Sequence, residues 1–153
     1  MVIHCILLFI ILDILVTMVG FIRILSDNHD LFCMKKILVI DDDNDFRKML
    51  SAKLTKSGFA VVEAENGVEG IRRFTENEVD LVVTDIIMPE KEGMETILEL
   101  KKIDPALKII AVSGGGRSAP EDYLSVSEYF GAVKSFRKPF NLSEFVQTIN
   151  NLI

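Results

Sequence analysis

A chain of 153 residues that is 49% hydrophobic and 26% charged, with no tryptophan, has room for one domain with a sizeable core. Its 17 basic and 23 acidic residues leave a net charge of −6, and no Lys/Arg cluster offers the surface that phosphate neutralisation needs, which argues against nucleic acid as a direct partner. Both cysteines (Cys5, Cys33) and both histidines (His4, His29) precede Met34, so the remainder has neither a disulfide nor zinc spacing and suits a reducing compartment.

From Val2 to Leu25 the chain is almost continuously apolar, broken by His4, Asp13, Thr17, Gly20 and Arg23, which is long enough to weigh as a membrane span. Between Ile6 and Ile24 there are fourteen Leu, Ile, Phe and Val residues. At about −0.3 to −0.6 kcal/mol each they outweigh Asp13, at about +2.5 to +3.5, by a modest margin. Arg23, Lys35 and Lys36 follow the run, so a span would leave the rest of the chain in the cytoplasm. A cleaved signal fits poorly, because there is neither a basic n-region nor a small-residue cleavage site. Met34-Lys35-Lys36 directly precedes a strand in the manner of a natural start. The preferred division is therefore a hydrophobic extension, residues 1–33, set aside before fold reasoning, and a cytoplasmic domain, residues 34–153. The alternative is an inner-membrane anchor with the domain facing the cytoplasm.

Ile37-Leu38-Val39-Ile40 reads as a buried strand that opens abruptly into Asp41-Asp42-Asp43-Asn44-Asp45. Phe46, Met49, Leu50 and Leu54 recur at helical spacing, with Asn44 or Asp45 as N-cap and Gly58 as the stop. Phe59 to Ala64 is a second strand; Asn66-Gly67 punctuates, and Val68, Ile71 and Phe74 mark the next helix. Leu81 to Thr84 is the third strand and delivers Asp85 where Pro89 and Lys91-Glu92-Gly93 turn the backbone. Met94, Ile97, Leu98 and Leu100 then give a helix running to Asp104-Pro105. Ile109 to Val112 is the fourth strand, ending at Ser113; Gly114-Gly115-Gly116 predicts a mobile loop, and Ser118 or Pro120 begins a helix bearing Tyr123, Leu124, Val126 and Phe130. Ala132 to Phe136 is the fifth strand, and after Lys138-Pro139-Phe140 a last helix carries Leu142, Phe145, Val146 and Ile149.

Five strands alternating with five helices through short loops predict a parallel sheet covered on both faces. Ligands in such sheets bind beyond the strands' carboxyl ends. All the polar candidates fall there: Asp41 and Asp42 after strand one, Asp85 after three, Ser113 after four and Lys138 after five. Singly, each reads as a loop acid, a cap or a surface lysine; five at one relative position make a site. Converging carboxylates repel, so some must be protonated or a cation must bind. Oxygen donors without His or Cys favour Mg²⁺ or Mn²⁺. A metal beside a carboxylate, a hydroxyl and an ammonium meets the needs of a phosphoryl group, with Asp85, on its own loop, as the natural nucleophile.

The motifs Ile37-Leu38-Val39-Ile40-Asp41-Asp42-Asp43, Asp85 with Met88-Pro89 and Gly93, Ser113, Gly131-Ala132 and Lys138-Pro139-Phe140 together resemble the response-regulator receiver domain of two-component signalling, over Met34 to Ile153. The resemblance implies a flavodoxin-like, doubly wound α/β fold with strand order 2-1-3-4-5. It implies that Asp85 accepts a phosphoryl group from a phosphohistidine on a sensor histidine kinase or phosphotransfer protein. Asp41 and Asp42 would hold Mg²⁺, helped by Asp85 and the backbone carbonyl of Ile87; Ser113 and Lys138 would contact the phosphoryl group, and the Lys138-Pro139 bond would be cis. Phosphorylation would then draw Ser113 inward and reorganise the helix-four face, with Glu121, Asp122, Glu128 and Lys134 among its polar residues.

The sequence departs from the family pattern where an aromatic residue commonly stands three before the lysine, for here that position is Ser135 and Phe136 follows. Ile87, two past Asp85, is apolar and cannot orient an attacking water, which predicts a long-lived phosphorylated state. A haloacid-dehalogenase-type phosphatase using Asp41-x-Asp43 is the enzyme alternative, but it leaves Asp85 unexplained. A calcium loop on Asp41-x-Asp43-x-Asp45 fails because Phe46 stands where glycine is needed and Ala52 where glutamate closes the site.

Overall fold

A computed structural model describes residues 34–88, 93–114 and 122–153, for residues 122–125 the backbone alone. The readings made of residues 1–33, of the turn at Pro89 to Glu92, and of Gly115 to Glu121 lie outside these residues, as do the side chains of Asp122, Tyr123 and Leu124. Strands β1 (Lys36–Ile40), β2 (Ala60–Ala64), β3 (Leu81–Asp85), β4 (Lys108–Gly114) and β5 (Lys134–Lys138) alternate with helices α1 (Asn44–Lys56), α2 (Gly67–Glu76), α3 (Gly93–Ile103), α4 (Asp122–Tyr129) and α5 (Leu142–Leu152). All strand pairs are parallel, in the order β2-β1-β3-β4-β5. No helix among the described residues is long and apolar enough to cross a membrane.

The three inner strands are continuous apolar runs because both of their faces are covered. Ile37, Val39, Leu81, Val83, Ile110 and Val112 pack with Leu50 and Leu54 of α1 and Phe145 and Ile149 of α5. The alternate residues Leu38, Ile40, Val82, Ile109 and Ala111 pack with Ile97 and Leu100 of α3, and with Ile71 and Phe74 of α2. Strand parity thus sorts every side chain to one layer or the other.

Three expected boundaries move. Asp43, rather than Asn44 or Asp45, caps α1, its Oδ1 accepting from the N–H groups of Asp45 and Phe46 at 3.0 and 3.1 Å. Strand β4 runs one residue past the expected end, to Gly114, so Ser113 lies within the ladder, paired with Arg137. The fifth strand spans Lys134–Lys138, not Ala132–Phe136, because an edge strand tolerates the charges that an apolar pattern avoids, while Ala132 is buried in the approach to it. Gly58, with φ at 94°, ends α1 in the backbone region where other residues are strained, as expected of the stop.

Asp80 ties the entry of β3 to that of β1: its carboxylate accepts from the Lys36 N–H at 2.8 Å and from Lys35 Nζ at 2.9 Å. Burial pushes its pKa up, but these bonds to Lys35 and Lys36 prevail and hold it below the ordinary 3.8. A carboxyl depressed in the folded state stabilises above its unfolded pKa, and that contribution is lost as pH falls through the folded value. Asp80→Asn is therefore expected to cost about 0.5 kcal/mol at pH 7, discounted for its partial exposure. The gap to the wild type should close as pH drops below 3.8, which urea titrations across that range would measure.

Candidate functional site

Parity places three of the five polar candidates on one layer. Asp41 continues the alternation of Ile37 and Val39, Asp85 that of Leu81 and Val83, and Lys138 that of Phe136, so all three emerge on the α1/α5 side at the sheet's carboxyl edge. Ser113 has the opposite parity to Val112 and emerges on the other layer at the same edge.

Asp41 is 2% exposed and held at several points. Its N–H donates to the Ala64 carbonyl at 3.1 Å, extending the β1–β2 ladder, and its Oδ1 accepts from the Asp43 N–H at 3.0 Å. Its carbonyl accepts from the guanidinium of Arg47, which also donates to Asn44 Oδ1 at 3.0 Å and pairs with Glu63 at 3.4 Å. Arg47 is buried and therefore braces the acidic turn against α1 and β2. The sequence reading passed over it, since a basic residue one turn into a helix looks like a solvated charge; only its place directly above the end of β1 hints otherwise.

Asp85, 6% exposed, is the last residue of β3. Its Oδ1 accepts from the Ile87 N–H at 2.9 Å. Helix α3 begins against its backbone: a Cβ on Gly93 would stand 1.9 Å from the Asp85 carbonyl oxygen, while the Gly93 N–H donates to the Ile86 carbonyl at 3.0 Å. Only glycine permits this approach, so Gly93 lets α3 start directly against the Asp85 backbone.

Lys138 pairs in register with Gly114, and β4 separates it from β3, so its side chain must cross two strand spacings, roughly 10 Å, to reach Asp85. A lysine meeting an aspartate can do this. Its Nζ lies 2.6 Å from Asp41 Oδ2 and 2.7 Å from Asp85 Oδ2, with the ring centre of Phe46 at 3.8 Å. The Lys138-Pro139 bond is cis. Ser113 is buried, and its Oγ has a long 3.5 Å contact to the Gly114 carbonyl. The Ile87 side chain is 49% exposed. Asp42 is exposed, and Asp41, Asp42 and Asp85 each offer one carboxylate oxygen within 4.8 Å of the others.

Burial raises the pKa of Asp41, more than the bond to Lys138 lowers it, and the neighbouring Asp85 adds to the rise. Burial alone would lower Lys138, but its bonds to Asp41 and Asp85 reverse that and hold the ammonium charged. One ammonium against two buried carboxylates, with Asp42 beside them, leaves a deficit of positive charge. The donors are all hard oxygens, and their spread is close to the roughly 4.2 Å that separates opposite ligands of an octahedral magnesium ion. The residues fit a small divalent cation. Asp43 does not join them, because its carboxylate caps α1; the Asp41-x-Asp43 pair needed by a dehalogenase-type nucleophile therefore does not converge.

Fold and site together define a class: doubly wound α/β domains that gather carboxylates, a hydroxyl and a lysine at the sheet's carboxyl edge. Residues 37–150 match the family model described as the response regulator receiver domain, and the chain belongs to that family. It is 35% identical over 127 residues to the response regulator receiver protein CpdR of Brucella abortus, covering 78% of this chain and 98% of that one. It is 38% identical over 120 residues to the chemotaxis protein CheY of Thermotoga maritima, covering 77% and 97%. Some longer transcriptional regulators also match, and of these the chain spans 26% or 49% of the length. Among solved structures, the response regulator TrrA of Thermotoga maritima, in complex with Mg²⁺ and BeF, superposes with a TM-score of 0.70 at 34% identity, covering 78% of this chain and all of that one.

Removing the ammonium would strand two buried carboxylates. Lys138→Met is expected to cost about 3 kcal/mol of stability at pH 7 without divalent cations. Adding Asp41→Asn to that variant should restore part of the loss, which chemical denaturation of the single and double variants would show.

Proposed function

We propose that this chain is a phosphoacceptor response regulator that takes a phosphoryl group on Asp85 from a phosphohistidine of a sensor histidine kinase or histidine phosphotransfer protein, and signals through protein contact. The observation that carries this reading is the buried Lys138 ammonium bridging Asp85 and Asp41 at the sheet's carboxyl edge. Of the two carboxylates Asp85 is the better nucleophile. Asp41 is pinned through its carbonyl and has its proton affinity raised by burial, whereas Asp85 is the last residue of β3, with exposed Ile87 two places on.

Asp41, Asp42, Asp85 and the Ile87 carbonyl would hold Mg²⁺, or Mn²⁺ in its place. When bound, the ion supplies charge neutralisation at the phosphoryl oxygens. A carboxylate oxygen of Asp85 forms the bond to phosphorus as the phosphorus–nitrogen bond of the donor breaks, and the departing imidazole takes a proton from solvent. Lys138 shifts its bonds from carboxylate to phosphoryl oxygen, and the Ser113 hydroxyl donates to another. That pull reorganises the chain after β4 and the α4 face. No aromatic ring rotates in the process, because Ser135 stands at the expected position, with its Oγ on Glu128 at 2.8 Å, while Phe136 packs against Phe140 and Phe145. The working domain begins at Met34 and acts in the cytoplasm; N-terminal sequencing of the native protein tests that boundary.

Incubation with acetyl phosphate and Mg²⁺ should add one phosphoryl group by intact mass, and Asp85→Asn should add none. If Asp85→Asn still takes phosphate and Asp41→Asn does not, the assignment of the nucleophile fails. Mg²⁺ at ten times its Kd should stabilise the wild type by about 1.4 kcal/mol, a gain that Asp41→Asn removes. With apolar Ile87 beside Asp85, the phosphorylated form should persist for minutes or longer after the donor is removed; decay within seconds would contradict this.

A further inference from the structure

The Lys138 ammonium has three N–H donors, and two point at Asp41 and Asp85. Among the described residues no further oxygen accepts from the third: the ammonium sits over the face of the Phe46 ring, 3.8 Å from its centre. An aromatic face is negative and attracts a cation, most strongly where water is excluded. Lys138 is mostly buried here, with a side-chain exposure of 15%.

The ring is itself held in place. The Phe46 N–H donates to the Asp43 cap at 3.1 Å, on the same turn that carries Asp41 and Asp42. Its ring meets Phe140 edge to face, with centroids 5.9 Å apart at 80°. Phe140 in turn stacks on buried Phe145, with centroids at 4.8 Å, and Phe136 touches both. Phe46 is only half-buried, because it also lines an open groove of about 330 Å³ with Met49, Pro139 and Leu142.

We propose that Phe46 is a positioning residue for Lys138. Its ring face fixes the ammonium between the two carboxylates, so that the four-carbon stem is already ordered when Lys138 exchanges a carboxylate oxygen for a phosphoryl oxygen. The role rests on the phosphoacceptor reading above. It deepens that reading by adding a residue that touches neither phosphate nor metal.

Fluorination separates electrostatics from packing. In the full chain, residue 46 alone is replaced by 4-fluoro-, 3,5-difluoro- and 3,4,5-trifluorophenylalanine, which withdraw charge stepwise from the ring face at nearly constant volume. The rate of Asp85 phosphorylation by acetyl phosphate at saturating Mg²⁺ is measured beside the denaturation midpoint. The rate is expected to fall progressively, by about three- to tenfold across the series, with at most a small parallel fall in the midpoint; Phe46→Tyr should keep the rate within about twofold, and both rate and midpoint should be flat across the series in a Lys138→Met background. A flat rate in the otherwise wild-type chain, or the same fall in the Lys138→Met background, overturns the inference while leaving the phosphoacceptor reading intact. Absence of phosphate on Asp85 in the wild type overturns that reading, and the inference with it.

Discussion

Two buried carboxylates share one ammonium, and the rest of the site is arranged around that unequal pairing. A lone carboxylate in such surroundings would cost several kcal/mol, so Asp41 and Asp85 can be tolerated side by side only because Lys138 lies within 2.7 Å of both. The pairing stabilises the folded chain without satisfying it. Charge remains in deficit, the proton affinity of Asp41 stays high, and the exposed Asp42 widens the imbalance toward solvent. A site left short of positive charge, with hard oxygen donors grouped at its mouth, fits a small divalent cation.

The precision of the arrangement comes from the sheet. Side chains at the ends of β1, β3 and β5 share a layer because strand parity puts them there, and parity cannot slip while one face of each strand is packed against α1 and α5. The remaining adjustments are local and steric. Arg47 braces the carbonyl of Asp41, the missing side chain of Gly93 lets α3 start against Asp85, and the ring of Phe46 lies under the ammonium. None of these three residues ends a strand. Each touches a residue at or just past a strand's end.

The sequence was most informative where burial is complete. Inner strands announce themselves as apolar runs, and Asp41, Asp85 and Ser113 stand at or near the end of those runs, so their shared position at one sheet edge could be read from the pattern of five strands together. At the edge that signal fades: β5 is Lys-Ser-Phe-Arg-Lys, one apolar residue among charges, and the pattern slid two places onto Ala132 and Val133. The cap of α1 was ambiguous for a different reason, since Asp43, Asn44 and Asp45 are all good caps and only backbone geometry selects the first. Arg47 and Phe46 were beyond reach, because both act through partners distant in space. Helical spacing identifies Phe46 as facing inward, but not that a lysine 92 positions later ends on its ring.

Strand β5 joins these observations to the way a signal would leave the domain. One of its faces carries Lys138 and Phe136 into the site layer and the phenylalanine cluster; the other carries Ser135, bonded to Glu128 of α4. An aromatic residue at position 135 would couple the two faces by moving a large ring in or out of a packed space, a change between two distinct states. A serine couples them through a single hydrogen bond between partly exposed groups, worth on the order of 1 kcal/mol. The side chain of Glu128 on α4 is therefore tied to β5 by a polar contact, weaker than a packed ring and free to open without leaving a cavity behind.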